Sequence, residues 1–302
     1  MQPTHDGPGL GIDAGGTQTR WALAQPDGSI VAEGQVAGLS ALQMGSADGR
    51  AAVRATLAEL ARAVAEHGRP VRLQAGLTGF GGDSGQLVQW LGELLGIPET
   101  AITLCGDMEI AYLAHFQPGQ GYLVYAGTGS IGAYIDDSGE FHRAGGRGVV
   151  LDDGGGGFWI AREALRQVWR TEDEQPGAWQ ASPMARAIFD YIGGSDWAQS
   201  RQFIYGQERG AVGKLALAVA ASAGDDPAAA AILRAAGAEL ARLAHALVAR
   251  FGPRPVVLSG RAAELHPLIF ESMREALPAA ITLRQSSAGA HLAAARIAAR
   301  PR

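Results

Sequence analysis

The chain is poor in residues that several kinds of chemistry require. It holds one cysteine, Cys105, which excludes an internal disulfide and any zinc site built on paired thiolates. Its one lysine, Lys214, lies in GAVGKL, without the spacing of a P-loop. The arginines form no stripe, and the net charge is −5. Reading a phosphate backbone needs clustered positive charge, so nucleic acid is not an expected partner. No apolar run reaches the roughly 18 residues of a membrane span. The opening MQPTHDGPGL lacks the charged and apolar regions of a signal peptide. The seven histidines show no metal-ligand spacing. The expectation is a soluble, cytoplasmic protein with no membrane partner.

Glycine is abundant. Its 43 residues are about twice the usual share and gather in short loops, as tight turns and close backbone approaches to a ligand require. Hydrophobic residues at 47% and charged ones at 18% are a globular balance, and 302 residues imply about two domains.

From Gly9 the pattern reads strand, Gly turn, strand, Asp27-Gly28 turn, strand, then a helix over about 49–67. Strand VRLQAGLTG, helix SGQLVQWLGELLG, strand AITLCGD and helix MEIAYLAHF follow. Then the pattern restarts: strand GYLVYAG, Gly/Thr turn, strand SIGAYIDD, Ser138-Gly139 turn, strand EFHRAGG. Gly16-Thr17 precedes Gly28 by 12 residues, as Gly127-Thr128 precedes Gly139. This reads as an internal duplication, with two chance-similar hairpins as the alternative. A helical insertion over about 155–251 follows, including helices at 158–170, 182–192, 197–204, 211–223 and 227–251. Strand PVVLSG, a helix, strand ITLRQ and a final helix over 287–300 close the chain. The fold class is α/β with mixed sheets flanked by helices. The domains are 1–117 and 118–302, with the break at Gln117-Pro118-Gly119.

Gly127-Thr128-Gly129-Ser130-Ile131-Gly132 spells the dinucleotide fingerprint G-x-G-x-x-G. That fingerprint needs a helix directly after the glycines, whereas AYIDDSGEF reads as strand and turn. A Gly/Thr turn between strands can bind phosphate instead, through backbone N–H groups and the hydroxyls of Thr17, Thr19, Thr128 and Ser130. Two such turns, at Gly15-Gly16-Thr17 and at Gly127-Thr128-Gly129, would hold a polyphosphate. A pair of ordinary hairpins is the alternative.

GIDAGGTQTR, GLTGFGG, GDMEIA, AGTGSIG, GGRGVVLDDGGGGFWI, VVLSGR and SSAGAHLAA occur in that order. Together they resemble the N-acetylglucosamine kinase branch of the BadF/BadG/BcrA/BcrD ATPase family, within the sugar kinase, Hsp70 and actin superfamily. The resemblance implies two duplicated ribonuclease H-like domains of the actin-like ATPase fold around an ATP cleft, with the final helix packing back on the first domain. It implies ATP and Mg²⁺ as cofactors, an amino sugar as substrate and phosphorylation at O6; a homodimer is the assembly considered. Asp13, ending the first strand, is a candidate Mg²⁺ contact or a turn-forming Asp. Asp107 is a candidate general base or a helix N-cap; Gly106 precedes it where the family usually has Asn.

LDDG at 151–154 resembles the family's Leu-Gly-Asp-Glu-Gly stretch and makes Asp152 the candidate reader of sugar hydroxyls. The N–H groups of the helix after Gly157 are possible further contacts. Gly146 and Arg147 fall in the same substrate region. Arg147 stands where the family commonly has Trp, which opens the acceptor to glucosamine or to a carboxylated or phosphorylated amino sugar. Gly260 and Arg261 match the adenosine loop, and Thr78 and Gly79 a substrate-side loop. Two other readings stay open. A dehydratase-activating ATPase needs cluster-ligating cysteines that a lone Cys105 does not supply. A non-catalytic sugar sensor would bind sugar without releasing ADP.

Overall fold

The structure, a computed structural model, describes residues 7–81 and 84–301; Gly82, the last glycine of GLTGFGG, lies outside them. The chain forms two compact units, Met1–Gln117 with Ala288–Arg302, and Pro118–Ser287.

The first unit runs β1 (Gly9–Ala14), β2 (Gln18–Ala24), β3 (Ile30–Ala37), α1 (Ala47–Ala65), β4 (Arg72–Leu77), α2 (Gly85–Leu95), β5 (Ile102–Gly106) and α3 (Asp107–Leu113). Its sheet has the order β3-β2-β1-β4-β5, antiparallel across β1, β2 and β3 and parallel across β1, β4 and β5. Because side chains alternate along a strand, β1 serves two cores. Leu10, Ile12 and Ala14 join Trp21 and Leu23 of β2 in a core with Leu57 and Leu60 of α1 and Leu91 of α2. Removing each such aliphatic side chain from water contributes roughly 1.5–3 kcal/mol. Gly9 and Gly11 face the other side, where α11 (Ala290–Ala299) lies flat on the sheet through Ala295 and Ala299 against Ala22 and Ala24. A Cβ on Gly11 would stand 2.1 Å from the Ala295 nitrogen.

The second unit repeats the plan: β6 (Tyr122–Ala126), β7 (Ser130–Ile135), β8 (Phe141–Gly145), then α4 (Gly157–Glu174), α5 (Pro183–Ile192), α6 (Trp197–Gly206), α7 (Arg209–Gly213), α8 (Leu215–Ser222), α9 (Pro227–Phe251), β9 (Val256–Ser259), α10 (Pro267–Ala276) and β10 (Leu283–Gln285). Read from β8, the sheet order is β8-β7-β6-β9-β10, with the same senses of pairing among β6, β7, β8, β9 and β10. The duplication extends to single bonds. In the β2–β3 turn Gly28 N–H donates to Gln25 O (2.8 Å) and Gln25 N–H to Ser29 O (2.9 Å). In the β7–β8 turn Gly139 donates to Asp136 O (2.9 Å) and Asp136 to Glu140 O (3.1 Å). Gly28 and Gly139 have φ of +85° and +87°, where glycine is favoured.

The helix expected over 211–223 is instead two, α7 and α8, parted at Lys214. Gly213 is pressed against the backbone of Phe158 at the start of α4, where its Cβ would lie 3.3 Å from the Phe158 nitrogen. Among the described residues no single helix is long and apolar enough to cross a membrane.

Candidate active site

In the first unit the carboxyl ends of the three parallel strands carry the acids. Asp13 is the penultimate residue of β1, Thr78 follows β4 directly, and Asp107 follows β5 directly. Asp107 is the first residue of α3 and Gly106 caps that helix, so the N-cap alternative for Asp107 does not hold. Gly76 on β4 lets α3 come close: a Cβ there would meet Ile110 Cγ1 at 2.7 Å and Asp107 Cα at 3.2 Å. Both Asp107 oxygens accept hydrogen bonds, Oδ1 from Met108 N–H at 2.9 Å and Oδ2 from Thr78 Oγ1 at 2.6 Å. The two acids share one region. Burial, first, and the charge of Asp107, second, push the Asp13 carboxyl up to about 6, while Arg20, paired across β2, pulls it down. A half-buried carboxylate facing a second one is an oxygen donor set that a hard divalent cation relieves, and it fits Mg²⁺.

The two glycine turns are related but unequal. Gly15, Gly16, Thr17 and Gln18 separate the paired residues Ala14 and Thr19; only Gly127, Thr128 and Gly129 separate Ala126 and Ser130. The equal spacings of 12 therefore conceal a one-residue difference in turn length. Thr19 and Ser130 occupy equivalent positions, and both are buried. Among the described residues the Thr19 hydroxyl has no hydrogen-bond partner, and Ser130 Oγ donates to Gly154 O at 2.6 Å. Neither is offered as a phosphate donor, which corrects the expectation for both. Thr17 and Thr128 are exposed, and a Cβ on Gly16 would meet nothing within 4 Å, so the first turn is open to a ligand. The glycines of the second turn also answer to packing. A Cβ on Gly129 would lie 2.1 Å from Asp153 Oδ2, and one on Gly156 2.6 Å from the Gly129 carbonyl carbon.

GTGSIG is followed by β7, as its strand-like continuation implies. A helix does touch this turn from elsewhere in the chain. Gly157 and Phe158, opening α4, donate their N–H groups to Gly127 O (2.8 Å) and Thr128 O (2.9 Å). Those two donors are consumed by the turn, contrary to the expectation that they face substrate.

Asp152 is likewise not free. Its Oδ2 accepts from Arg242 Nη2 at 2.8 Å, and its Oδ1 from Gly154 N–H at 3.3 Å. The buried acid of the loop is Asp153, with φ of +52°, the only non-glycine residue with positive φ among those described. Its Oδ1 accepts from Gly148 N–H at 3.0 Å. Burial holds its carboxyl above the usual range, against the pull of the Gly148 and Arg147 N–H groups. Asp153 thus joins the Gly145–Gly148 segment to the second glycine turn, and Arg147 projects as an exposed side chain from the segment it anchors. Gly146 has φ of +62° and donates to Ser130 O at 3.1 Å.

Gly260, with φ of +101°, crosses β6 so closely that a Cβ would sit 2.4 Å from Ala126 O; Arg261 beside it is exposed. Gly79 has φ of +72°. Burial pushes the Cys105 thiol up to about 12, so it is protonated at neutral pH. One histidine contact joins residues that no metal-ligand spacing marks: His142 Nε2 lies 2.8 Å from Asp136 Oδ2. The other oxygen of Asp136 closes the β7–β8 turn by accepting from Ser138 N–H, Ser138 Oγ and Glu140 N–H.

The profile of the BadF/BadG/BcrA/BcrD ATPase family matches residues 10–290, and the chain belongs to that family. Its fold is the duplicated ribonuclease H-like fold of the actin-like ATPases. A similar solved structure is a protein of Chromobacterium violaceum provisionally named an N-acetylglucosamine kinase. It is 27% identical, with 96% of this chain and 98% of that one covered and a TM-score of 0.70. A protein of Porphyromonas gingivalis under the same provisional name is 18% identical, with 94% and 96% covered and a TM-score of 0.73. A ROK family glucokinase of Streptomyces griseus, solved in complex with glucose and AMPPNP, is 18% identical, with 97% and 98% covered and a TM-score of 0.62. No curated protein matches the sequence.

Proposed function

We propose that the protein is an ATP-dependent sugar kinase that transfers the γ-phosphoryl group to a hydroxyl, O6, of N-acetylglucosamine or a related amino sugar. The observation that carries this is the convergence of Asp13, Thr78 and Asp107 at the carboxyl ends of β1, β4 and β5, beside an open glycine turn. Family membership and the names of the Chromobacterium and Streptomyces proteins support it.

The phosphate-binding turns are Gly15, Gly16 and Thr17 in the first unit and Gly127, Thr128 and Gly129 in the second. Asp13 would hold Mg²⁺, which would supply charge neutralisation on the polyphosphate. Asp107 accepts the proton of the attacking hydroxyl as the new O–P bond forms, and the β–γ bridging oxygen leaves with ADP. Orientation and charge neutralisation supply most of the acceleration. In the second unit Gly260 and Arg261 serve the adenosine and Gly146 and Arg147 the acceptor; in the first unit Thr78 and Gly79 serve the acceptor. Asp153 takes the place of Asp152 as the acid of the acceptor loop.

The test is coupled ADP release over a panel of N-acetylglucosamine, glucosamine, glucose and their acidic derivatives. Turnover with an amino sugar is expected, and Asp107→Ala should lower kcat at least about a hundredfold while ATP still binds. Saturable sugar binding without ADP release would replace the kinase reading with a sugar sensor.

A further inference from the structure

Thr78 is tied down more firmly than a residue of a substrate-side loop needs to be. Its N–H donates to Ala14 O at 2.9 Å, at the end of the strand that carries Asp13. Its carbonyl accepts from Ser40 Oγ at 3.0 Å and from Ala41 N–H at 2.9 Å. With both peptide groups fixed by different elements, the hydroxyl has a set position, and it is spent on Asp107 Oδ2 at 2.6 Å. The duplicated unit separates what this residue does for the fold from what its hydroxyl does. There the bond onto the end of the central strand, Ala126 O, is made by Ala262 N–H at 2.9 Å, one residue beyond Arg261, the register equivalent of Thr78. Neither residue carries a hydroxyl, so closing this strand end does not call for one. Tyr125 likewise occupies the register position of Asp13. At the positions of Asp13 and Thr78 the second unit has neither the acid nor the threonine hydroxyl.

The surroundings of Asp107 make that hydroxyl consequential. Among the described residues no Arg, Lys or His lies within ion-pairing distance of Asp107. The titratable groups around it are Asp13 on β1, Cys105 on β5 and Glu109 on α3, which accepts from Gly106 N–H at 2.8 Å. Two hydrogen bonds hold the carboxylate, from Met108 N–H and from Thr78 Oγ1. A carboxylate has about four lone-pair positions, so these two bonds fix its plane and leave room for a substrate hydroxyl.

We propose that Thr78 is the positioning residue of the base: its hydroxyl sets the rotamer of Asp107, so that a free lone pair meets the acceptor hydroxyl. This rests on the assignment of Asp107 as base, and it moves Thr78 from sugar contact to support of the base.

Thr78→Val removes the donor and keeps the shape; Thr78→Ser restores it. With N-acetylglucosamine, or the panel sugar that turns over fastest, kcat should fall about ten- to a hundredfold in Thr78→Val. KM for ATP should stay put, and Thr78→Ser should restore kcat. Where Thr78→Val does not fold, Thr78→Ala replaces it. A Thr78→Val kcat within about twofold of wild type, in a protein that Asp107→Ala inactivates, overturns the role of Thr78 alone. An active Asp107→Ala overturns the base assignment and this proposal together.

Discussion

Asp13 carries a cost that its neighbours create. Its carboxyl titrates near 6 in the folded protein because it is buried and faces Asp107; in the unfolded chain it titrates near the ordinary 3.8. Folding therefore favours the protonated acid. The stability this provides is complete below the unfolded value and is lost as pH rises through about 6. Two units correspond to about 3 kcal/mol at most. Asp13→Asn, which cannot ionise, should gain up to about that much over wild type at pH 8 and nearly nothing at pH 4. Urea unfolding of both proteins at the two pH values, without Mg²⁺, checks it; equal differences would mean that Asp13 is not strained by charge. Added Mg²⁺ should raise wild type and leave the variant unmoved. Neighbouring acids show what a sequence conceals at this scale. Asp152 and Asp153 are adjacent and chemically identical, and only the distant Arg242, on α9, separates an ion-paired surface acid from the buried acid of the loop.

At the scale of elements, glycines divide into those that serve the fold and those left open for a ligand. The strand–turn–strand order and the D-G and S-G turns were legible because each depends on neighbouring residues. Whether Gly11 faces a helix or solvent depends on Ala295, in the last helix of the chain, and the hydroxyl of Ser130 is taken up by Gly154, outside its own hairpin. The structure separates the two kinds of glycine. Gly11→Ala drives a methyl into the α11 backbone, 2.1 Å from the Ala295 nitrogen, and should cost about 3 kcal/mol or more, since neither strand nor helix can yield alone. Gly16→Ala meets nothing within 4 Å and should leave stability within about 0.5 kcal/mol, while raising KM for ATP if phosphate approaches that turn. Thermal unfolding and ATP kinetics on the pair decide it. A destabilised Gly16→Ala with normal ATP kinetics would make the first turn an ordinary hairpin.

For the whole molecule, the first unit is discontinuous in sequence and the second is continuous. α11 belongs with β1 and β2, yet 170 residues of the second unit, Pro118–Ser287, stand between them and it. The helix covers the face that Gly9, Gly11, Ala22 and Ala24 present, and Arg72 Nε on β4 donates to Ala298 O at 2.7 Å. Without α11 that face meets water with glycine and alanine and nothing to bury against. The lost packing then rivals the net 5–15 kcal/mol of a typical domain. Residues 118–287 alone should fold and unfold cooperatively. Residues 1–117 alone should give a poorly dispersed amide spectrum and no sharp thermal transition. Joining 288–302 to residue 117 through a flexible Gly/Ser linker should restore both, because loop-closure cost grows only slowly with length. A well-dispersed spectrum from 1–117 would mean that the sheet does not need its last helix, and that the chain's final residues are an addition to the first unit rather than part of its core.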